Sequence, residues 1–392
     1  MSHRGVLKTG QMQIVYYMDG PTRAPVLLLS NSLGTTSAMW DPQVSRLSSH
    51  FLVLRYDQRG HGASGSPKGP YAIEDLGHDA LDLLDMLGVE RAAICGLSLG
   101  GMVAIWMAAN APDRVTHLIL ASTSAKLGPP EAWQERAALV RSSGTKAIAD
   151  LLPERWFTTT FRNVNRKTVN DVLLMLATCD PEGYASCCEA IATMDQRGDL
   201  IRINAPTLVI AGADDPVTPP SLAFNLARMI RCASLEVLQG ASHLVNLGEP
   251  ERFTSAVLAH LIGDPADRGM ALRREVLGNA DLEHESSTFS APFQDFLNRH
   301  TWGEVWARPG LDRRTRSAIT VAMLIGLGRV DELLSHIPAA IRNGLSMDEI
   351  REVLLQSAVY CGIPAATEAF ALVDKVLANS ADNAAEGEVR QL

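Results

Sequence analysis

The chain has 392 residues, more than one hydrophobic core usually organises, so two domains are expected. At 46% hydrophobic and 20% charged it has the make-up of an ordinary globular protein able to fill real cores. A net charge of −9 disfavours a nucleic-acid or anionic-membrane surface, and the longest apolar stretch, Ile319 to Leu327, is too short to span a bilayer. The six cysteines (Cys95, Cys179, Cys187, Cys188, Cys232 and Cys361) form no Cys-x-x-Cys pair and read as reduced thiols of a cytoplasmic protein. No signal peptide is expected at the N-terminus.

In chain order, Met12–Asp19 and Ala24–Ser30 read as strands, the second an apolar run suited to burial on both faces. Asp41–Ser48 reads as helix, Phe51–Tyr56 as a buried strand, and Tyr71–Leu87 as an amphipathic helix with a stripe of Ile73, Leu76, Leu83, Leu84 and Leu87. An apolar run then enters the turn Gly96-Leu97-Ser98-Leu99-Gly100 and a helix-prone run leaves it, before the strand Val115–Ala121. From Pro129 to Asp199 the rhythm stops, and helical periods without buried strands suit a cap over a sheet. Strands at Pro206–Gly212 and Ser234–Leu238 and helices at Ser221–Met229 and Pro250–Leu261 complete the unit. Strand and helix alternating in this way predict a doubly wound, mostly parallel α/β sheet.

Residues 263–268, with Gly-Asp-Pro, read as a linker. Beyond it only helices are expected, at about Gly269–Leu277, Ser290–Thr301, Arg313–Leu327, Val330–Asn343, Met347–Cys361 and Ala365–Ala378. Ser346 and Glu349 form a capping box ahead of the fifth. The expected organisation is therefore 1–262 with a cap at about 129–199, a linker, an all-helical domain 269–378, and a disordered tail 379–392.

A serine pinched between strand and helix has a strained backbone that lifts its hydroxyl into a cleft, which makes Ser98 a candidate nucleophile. The Leu99 amide, at the helix N-terminus, is a candidate oxyanion donor. Serine needs a base, and the base an orienting acid. Asp214 and Asp215 both follow the strand ending at Gly212, and Asp215 fits the spacing Gly-x-x-Asp-x-Val-x-Pro better. His243 follows the next strand and is the candidate base. Its competitor His61, in Arg59-Gly60-His61-Gly62, comes too early and reads as a structural turn near the cleft. After the strand ending at Ser30, Asn31-Ser32-Leu33-Gly34 makes the Leu33 amide the second candidate donor.

On these residues, with Tyr56-Asp57-Gln58-Arg59-Gly60-His61-Gly62 and Ala211–Pro219, the stretch 11–262 resembles the α/β-hydrolase superfamily, and within it the β-ketoadipate enol-lactone hydrolases. The resemblance implies serine-triad opening of an enol-lactone that carries a free carboxylate. A cap cation is then expected, with Trp133, Arg136 and Arg155 as candidates for substrate binding.

Residues 269–378 resemble the carboxymuconolactone decarboxylase family through Thr301–Ser317, Ala340–Ile350 and Ala358–Ala366. Peroxidase-type relatives carry a Cys-x-x-Cys pair before a histidine. Here Arg329 and Glu332 stand in those places with His336 retained, which argues against thiol chemistry. The resemblance implies loss of a carboxylate whose electrons spread to the lactone carbonyl. The substrate is then its own electron sink, and no metal or organic cofactor is expected. Glu332 and His336, four apart on one helical face, are candidate acids. Arg308, Arg313, Arg314, Arg316 and Arg329 are candidate carboxylate clamps, while Trp302 and Trp306 read as core.

Together the halves imply a bifunctional enzyme for successive steps of protocatechuate catabolism. Small lactone carboxylates are its expected partners, with self-association through the helical domain. The alternative is a hydrolase of another ester or lactone whose C-terminal helices only oligomerise it.

Overall fold

The computed structural model describes residues 3–9, 12–263, 265–278, 289–308 and 310–375. The chain divides into two compact units, Met1–Leu261 and Ile262–Leu392.

The first unit is built on an eight-stranded sheet in the order β1-β2-β4-β3-β5-β6-β7-β8. Its strands are β1 (His3–Thr9), β2 (Met12–Asp19), β3 (Val26–Ser30), β4 (Leu52–Tyr56), β5 (Ala92–Leu97), β6 (Val115–Ala121), β7 (Thr207–Gly212) and β8 (Ala233–Leu238). β1 and β2 pair antiparallel, β2 meets β4 antiparallel, and the rest run parallel. The register places Leu28 beside Ile94 and Ile94 beside Leu118. Every residue of β5 and β7 is buried, as their nearly all-apolar sequences, broken only by Thr207, suit in central parallel strands.

Around the sheet lie α1 (Asp41–Leu47), α2 (Ile73–Met86) and α3 (Leu99–Asn110). α2 buries Ile73, Leu76, Leu83 and Leu84, each contributing about 1.5–3 kcal/mol when fully covered. Its buried Asp79 takes both arms of the Arg59 guanidinium, at 2.6 and 2.7 Å. Between β6 and β7 come α4 (Pro130–Ser143), α5 (Pro153–Trp156), α6 (Thr159–Val164), α7 (Arg166–Ala177) and α8 (Pro181–Thr193). α9 (Pro220–Met229), α10 (Val245–Gly248) and α11 (Pro250–Ile262) complete this part.

The second unit holds α12 (Pro265–Leu277), α13 (Ala291–Phe296) running into a π-helical stretch Leu297–Trp306, α14 (Arg313–Gly326), α15 (Val330–Arg342), α16 (Met347–Cys361) and a last helix, α17, over 363–375. One core joins Val321, Ile325, Leu333, Ile337, Ile350 and Leu354, and another packs Trp302 against Leu272 and Val276. Asp312 caps α14 through the Thr315 amide (2.7 Å), and Ser346 and Glu349 exchange both bonds of a capping box at α16.

The differences from expectation have physical causes. β1 went unread because it is a polar edge strand in which, among the described side chains, only Leu7 is buried. Residues 265–268, read as linker, form the first turn of α12, where Pro265 suits the opening position of a helix. The helix expected to end at Thr301 continues to Trp306 by widening into π-helical turns. The expected disordered tail 379–392 and the end of the last expected helix, 376–378, lie outside the described residues.

Candidate active site

The parallel strands all end on one edge of the sheet, and the loops leaving that edge carry the chemistry, as open α/β sheets dictate. Ser98 follows β5 with φ 56° and ψ −114°, a strained conformation for a residue with a side chain. The turn is tight enough that a Cβ on Gly96 would run into the Gly100 carbonyl, and one on Gly100 into the Ser30 carbonyl. The Ser98 amide donates to Ala121 O (2.9 Å) and its carbonyl accepts from Thr123 Oγ1 (2.8 Å), which pins the elbow between β5 and β6.

His243, after β8, places Nε2 2.9 Å from Ser98 Oγ and Nδ1 2.9 Å from Asp215 Oδ2. Ser98, Asp215 and His243 are 7%, 3% and 3% exposed, so these bonds lie largely out of water. The histidine loop is latched on both sides to the cap: Ser242 Oγ donates to Arg155 O (3.0 Å) and the Leu244 amide to Trp156 O (3.1 Å). Asp215 Oδ1 accepts the Val217 and Thr218 amides (2.8 and 2.9 Å), and Oδ2 accepts the Thr218 hydroxyl (2.6 Å). Burial works against the Asp215 anion, but the His243 imidazole and these hydrogen bonds outweigh it and hold the carboxyl below its ordinary range. Asp214, the other candidate acid, is exposed and meets this loop only through its backbone, where its carbonyl accepts Ser242 Oγ.

Leu99 opens α3, so its N–H has no acceptor within the helix, and Leu33 lines the same cavity as Ser98. Trp133, Arg136 and Arg155 line it too, with Tyr184 and Trp156. The Arg136 guanidinium lies 5.4 Å from the Trp133 ring centre, and Trp133 Nε1 is held by Leu127 O (3.0 Å). Burial pushes the Tyr184 phenol well above its ordinary pKa, so it remains protonated beside the cavity. Sequence reasoning missed Thr218 and Tyr184. The hydroxyl three residues after an aspartate was a legible turn signal for the first, whereas nothing local marks the second.

His61 stands apart from the triad. It is buried, with Nε2 facing the Gly34 amide and Nδ1 the Arg59 carbonyl.

In the second unit, Glu332 is exposed and His336 half-buried, both on α15. Of the candidate clamps, Arg313 is not left open: it pairs with Glu275 on α12 (2.6 Å). Arg314 likewise pairs with Glu349. Arg316 lies beside Arg308, donating to its carbonyl (3.0 Å) and to Leu311 O (3.2 Å). Partial burial, and then the Arg308 charge, lower the Arg316 pKa. Arg308 and Arg329 are exposed, Arg329 at the N-terminus of α15. Trp302 is core, with the Trp306 ring 4.9 Å away.

Comparison with known proteins agrees with this division. The chain is 43% identical over 256 residues to 3-oxoadipate enol-lactonase 2 of Acinetobacter baylyi, covering 65% of this chain and 96% of that one. Over another 113 residues it is 44% identical to 4-carboxymuconolactone decarboxylase of the same organism, 28% of this chain and 84% of the relative. The crystal structure of the enol-lactonase from Burkholderia xenovorans superposes with a TM-score of 0.64 at 41% identity, covering 66% of this chain and 99% of the other. Two family models match, the alpha/beta hydrolase fold over residues 25–250 and the carboxymuconolactone decarboxylase family over residues 291–375. The chain therefore belongs to the α/β-hydrolase family through its first unit and to the carboxymuconolactone decarboxylase family through its second, a fusion of the two.

Proposed function

We propose that the chain is a bifunctional enzyme of the β-ketoadipate pathway: its second unit decarboxylates 4-carboxymuconolactone, and its first opens the resulting 3-oxoadipate enol-lactone. The observation that carries the hydrolytic half is the unbroken hydrogen-bond chain Ser98–His243–Asp215. Ser98 Oγ attacks the lactone carbonyl while His243 Nε2 takes its proton, and Asp215 stabilises the imidazolium. The Leu33 and Leu99 amides receive the oxyanion. The ring C–O bond breaks, His243 returns the proton to the enol oxygen, and the enol relaxes to the ketone. Water then releases the acyl group by the same relay. Arg136 and Arg155, cations on the wall of the Ser98 cavity, support a substrate that carries a second, unreacting carboxylate.

In the second unit the C–C bond to the departing carboxylate breaks, CO2 leaves, and its electron pair passes into the conjugated lactone. A proton from Glu332 or His336 then goes to a carbon of the resulting dienolate, giving the enol-lactone. No organic cofactor or metal enters this scheme. Arg308, Arg316 and Arg329 are the clamps it draws on. Arg313 is set aside because Glu275 already neutralises it.

Self-association is part of the same reading. Ile319, Met323 and Leu327, four residues apart along and just past α14, are exposed, as are Leu355, Val359 and Ile363 at and beyond α16. Apolar stripes of this length fit burial against further copies of the chain. A cytoplasmic site of action belongs to the same reading; among the described residues no helix is long and apolar enough to cross a membrane. The test is incubation of the full chain with 4-carboxymuconolactone and no added cofactor. Equal yields of CO2 and 3-oxoadipate are expected. Recovery of the substrate unchanged would remove the proposal.

A further inference from the structure

The turn Arg59-Gly60-His61-Gly62 takes no part in the triad, yet it is tied to the loop that carries Leu33. In that loop the Ser32 amide donates to Met39 Sδ (3.3 Å), the Gly34 amide to His61 Nε2 (2.9 Å), and the Ser37 amide to Asp57 Oδ1 (2.8 Å). The Asn31 side chain is held at both ends, by Tyr56 O (2.7 Å) and Trp40 Nε1 (2.9 Å). Leu33 N–H sits between two tethered peptide planes.

The two partners of His61 leave one arrangement of its ring. Nδ1 faces a carbonyl, Arg59 O at 3.0 Å, and so carries the proton. Nε2 is then a bare lone pair for the Gly34 N–H. The ring is 1% exposed, and burial favours its neutral form against the opposing pull of Arg59 O and the Asp57 carboxylate. Gly34 has φ +81°, where glycine gives the 33–34 peptide plane little resistance to rotation. The histidine supplies that resistance from outside the loop.

Resting on the hydrolase reading above, we propose that His61 is a positioning residue, a neutral imidazole that holds the Gly34 amide so that the neighbouring Leu33 N–H stays aimed at the oxyanion. It touches no substrate. Its effect is confined to the transition state, because the ground-state carbonyl depends far less on that donor.

The two nitrogens can be removed separately. In the full chain, His61→Asn keeps a donor near Arg59 O but cannot reach Gly34, whereas His61→Gln can offer an amide oxygen to Gly34. With p-nitrophenyl acetate as probe, Asn is expected to lower kcat about 10- to 100-fold with KM within about threefold, short of the roughly 10²–10³ of losing a donor outright. Gln is expected to recover kcat to within about fivefold of the parent. A trifluoromethyl ketone, which forms an oxyanion on Ser98, should lose affinity in Asn by the same factor as kcat. An Asn variant that keeps a third or more of kcat, a Gln variant no better than Asn, or a loss confined to KM each overturns the proposal. Failure of the hydrolase reading looks different: the parent chain itself would neither turn over the ester nor be labelled at Ser98 by a fluorophosphonate.

Discussion

Replacing Asp215 by Asn, with Asp214→Asn as its control, separates two adjacent carboxylates that the sequence alone could not fully tell apart. Asp215 Oδ2 is 2.9 Å from His243 Nδ1, and the pair is buried. When Ser98 attacks, His243 becomes a cation facing that anion. Two unit charges about 4 Å apart at an effective dielectric of about 20 interact by about 4 kcal/mol. At about 1.4 kcal/mol per tenfold, losing the charge lowers kcat about 10³-fold. An asparagine that turns its NH2 toward Nδ1 also favours the wrong imidazole tautomer, which takes the loss toward about 10⁴. KM should stay within about threefold, since neither aspartate lines the cavity around Ser98. Asp214→Asn should change kcat less than about threefold, because its contribution to the loop is a backbone carbonyl that the substitution preserves. The assay is steady-state hydrolysis of a chromogenic ester, alongside the rate of Ser98 labelling by a fluorophosphonate. Equal losses in the two variants, or an Asp215→Asn enzyme with a tenth or more of native kcat, would refute the reasoning.

The other predictions are briefer. Arg136→Gln should raise KM for a carboxylate-bearing lactone about 10- to 100-fold, the worth of about 1.5–3 kcal/mol of charge-assisted hydrogen bonding, and leave KM for p-nitrophenyl acetate within about threefold; equal changes for both would take Arg136 out of carboxylate binding. His61 is buried with its pKa below the ordinary 6.5, so the unfolded chain binds that proton first, and the stability this group contributes is present above pH 6.5 and lost as pH falls toward its folded pKa. Thermal unfolding of the first unit should accordingly worsen less between pH 7 and pH 5 in His61→Gln than in the parent, and parallel curves would contradict that. Met323→Glu combined with Val359→Glu should lower the mass seen by sedimentation while p-nitrophenyl acetate turnover persists; an unchanged mass would clear these stripes of any part in association.

Much of the first unit was legible because its central strands are largely apolar between turn residues, β6 only from Leu118 onward. β5, β6 and β7 announce themselves in Ala92–Leu97, Val115–Ala121 and Thr207–Gly212. Ser98 and His243 were readable because strand ends fix where loops emerge, and Asp215 because of its spacing. β1 escaped because edge pairing to β2 is a tertiary choice that a polar sequence does not advertise. Tyr184 and Thr218 matter through neighbours brought from elsewhere in the chain or through a single hydroxyl, and His61 through an amide 27 residues upstream. In the helical unit, periodicity located α14, α15 and α16 well. Which arginines were already engaged could not be read, since Glu275 and Glu349 reach Arg313 and Arg314 only once the helices pack. The π-helical turns of 297–306 likewise have no sequence period of their own.

The division of labour between the two units is tested most directly by one reaction: full-length Ser98→Ala with 4-carboxymuconolactone, followed by CO2 release and by the identity of the organic product. CO2 should appear at the parent's rate while enol-lactone accumulates and ring opening slows to the spontaneous rate. 3-Oxoadipate formed at the parent's rate after subtracting spontaneous hydrolysis, or no CO2 at all from either protein, would contradict it.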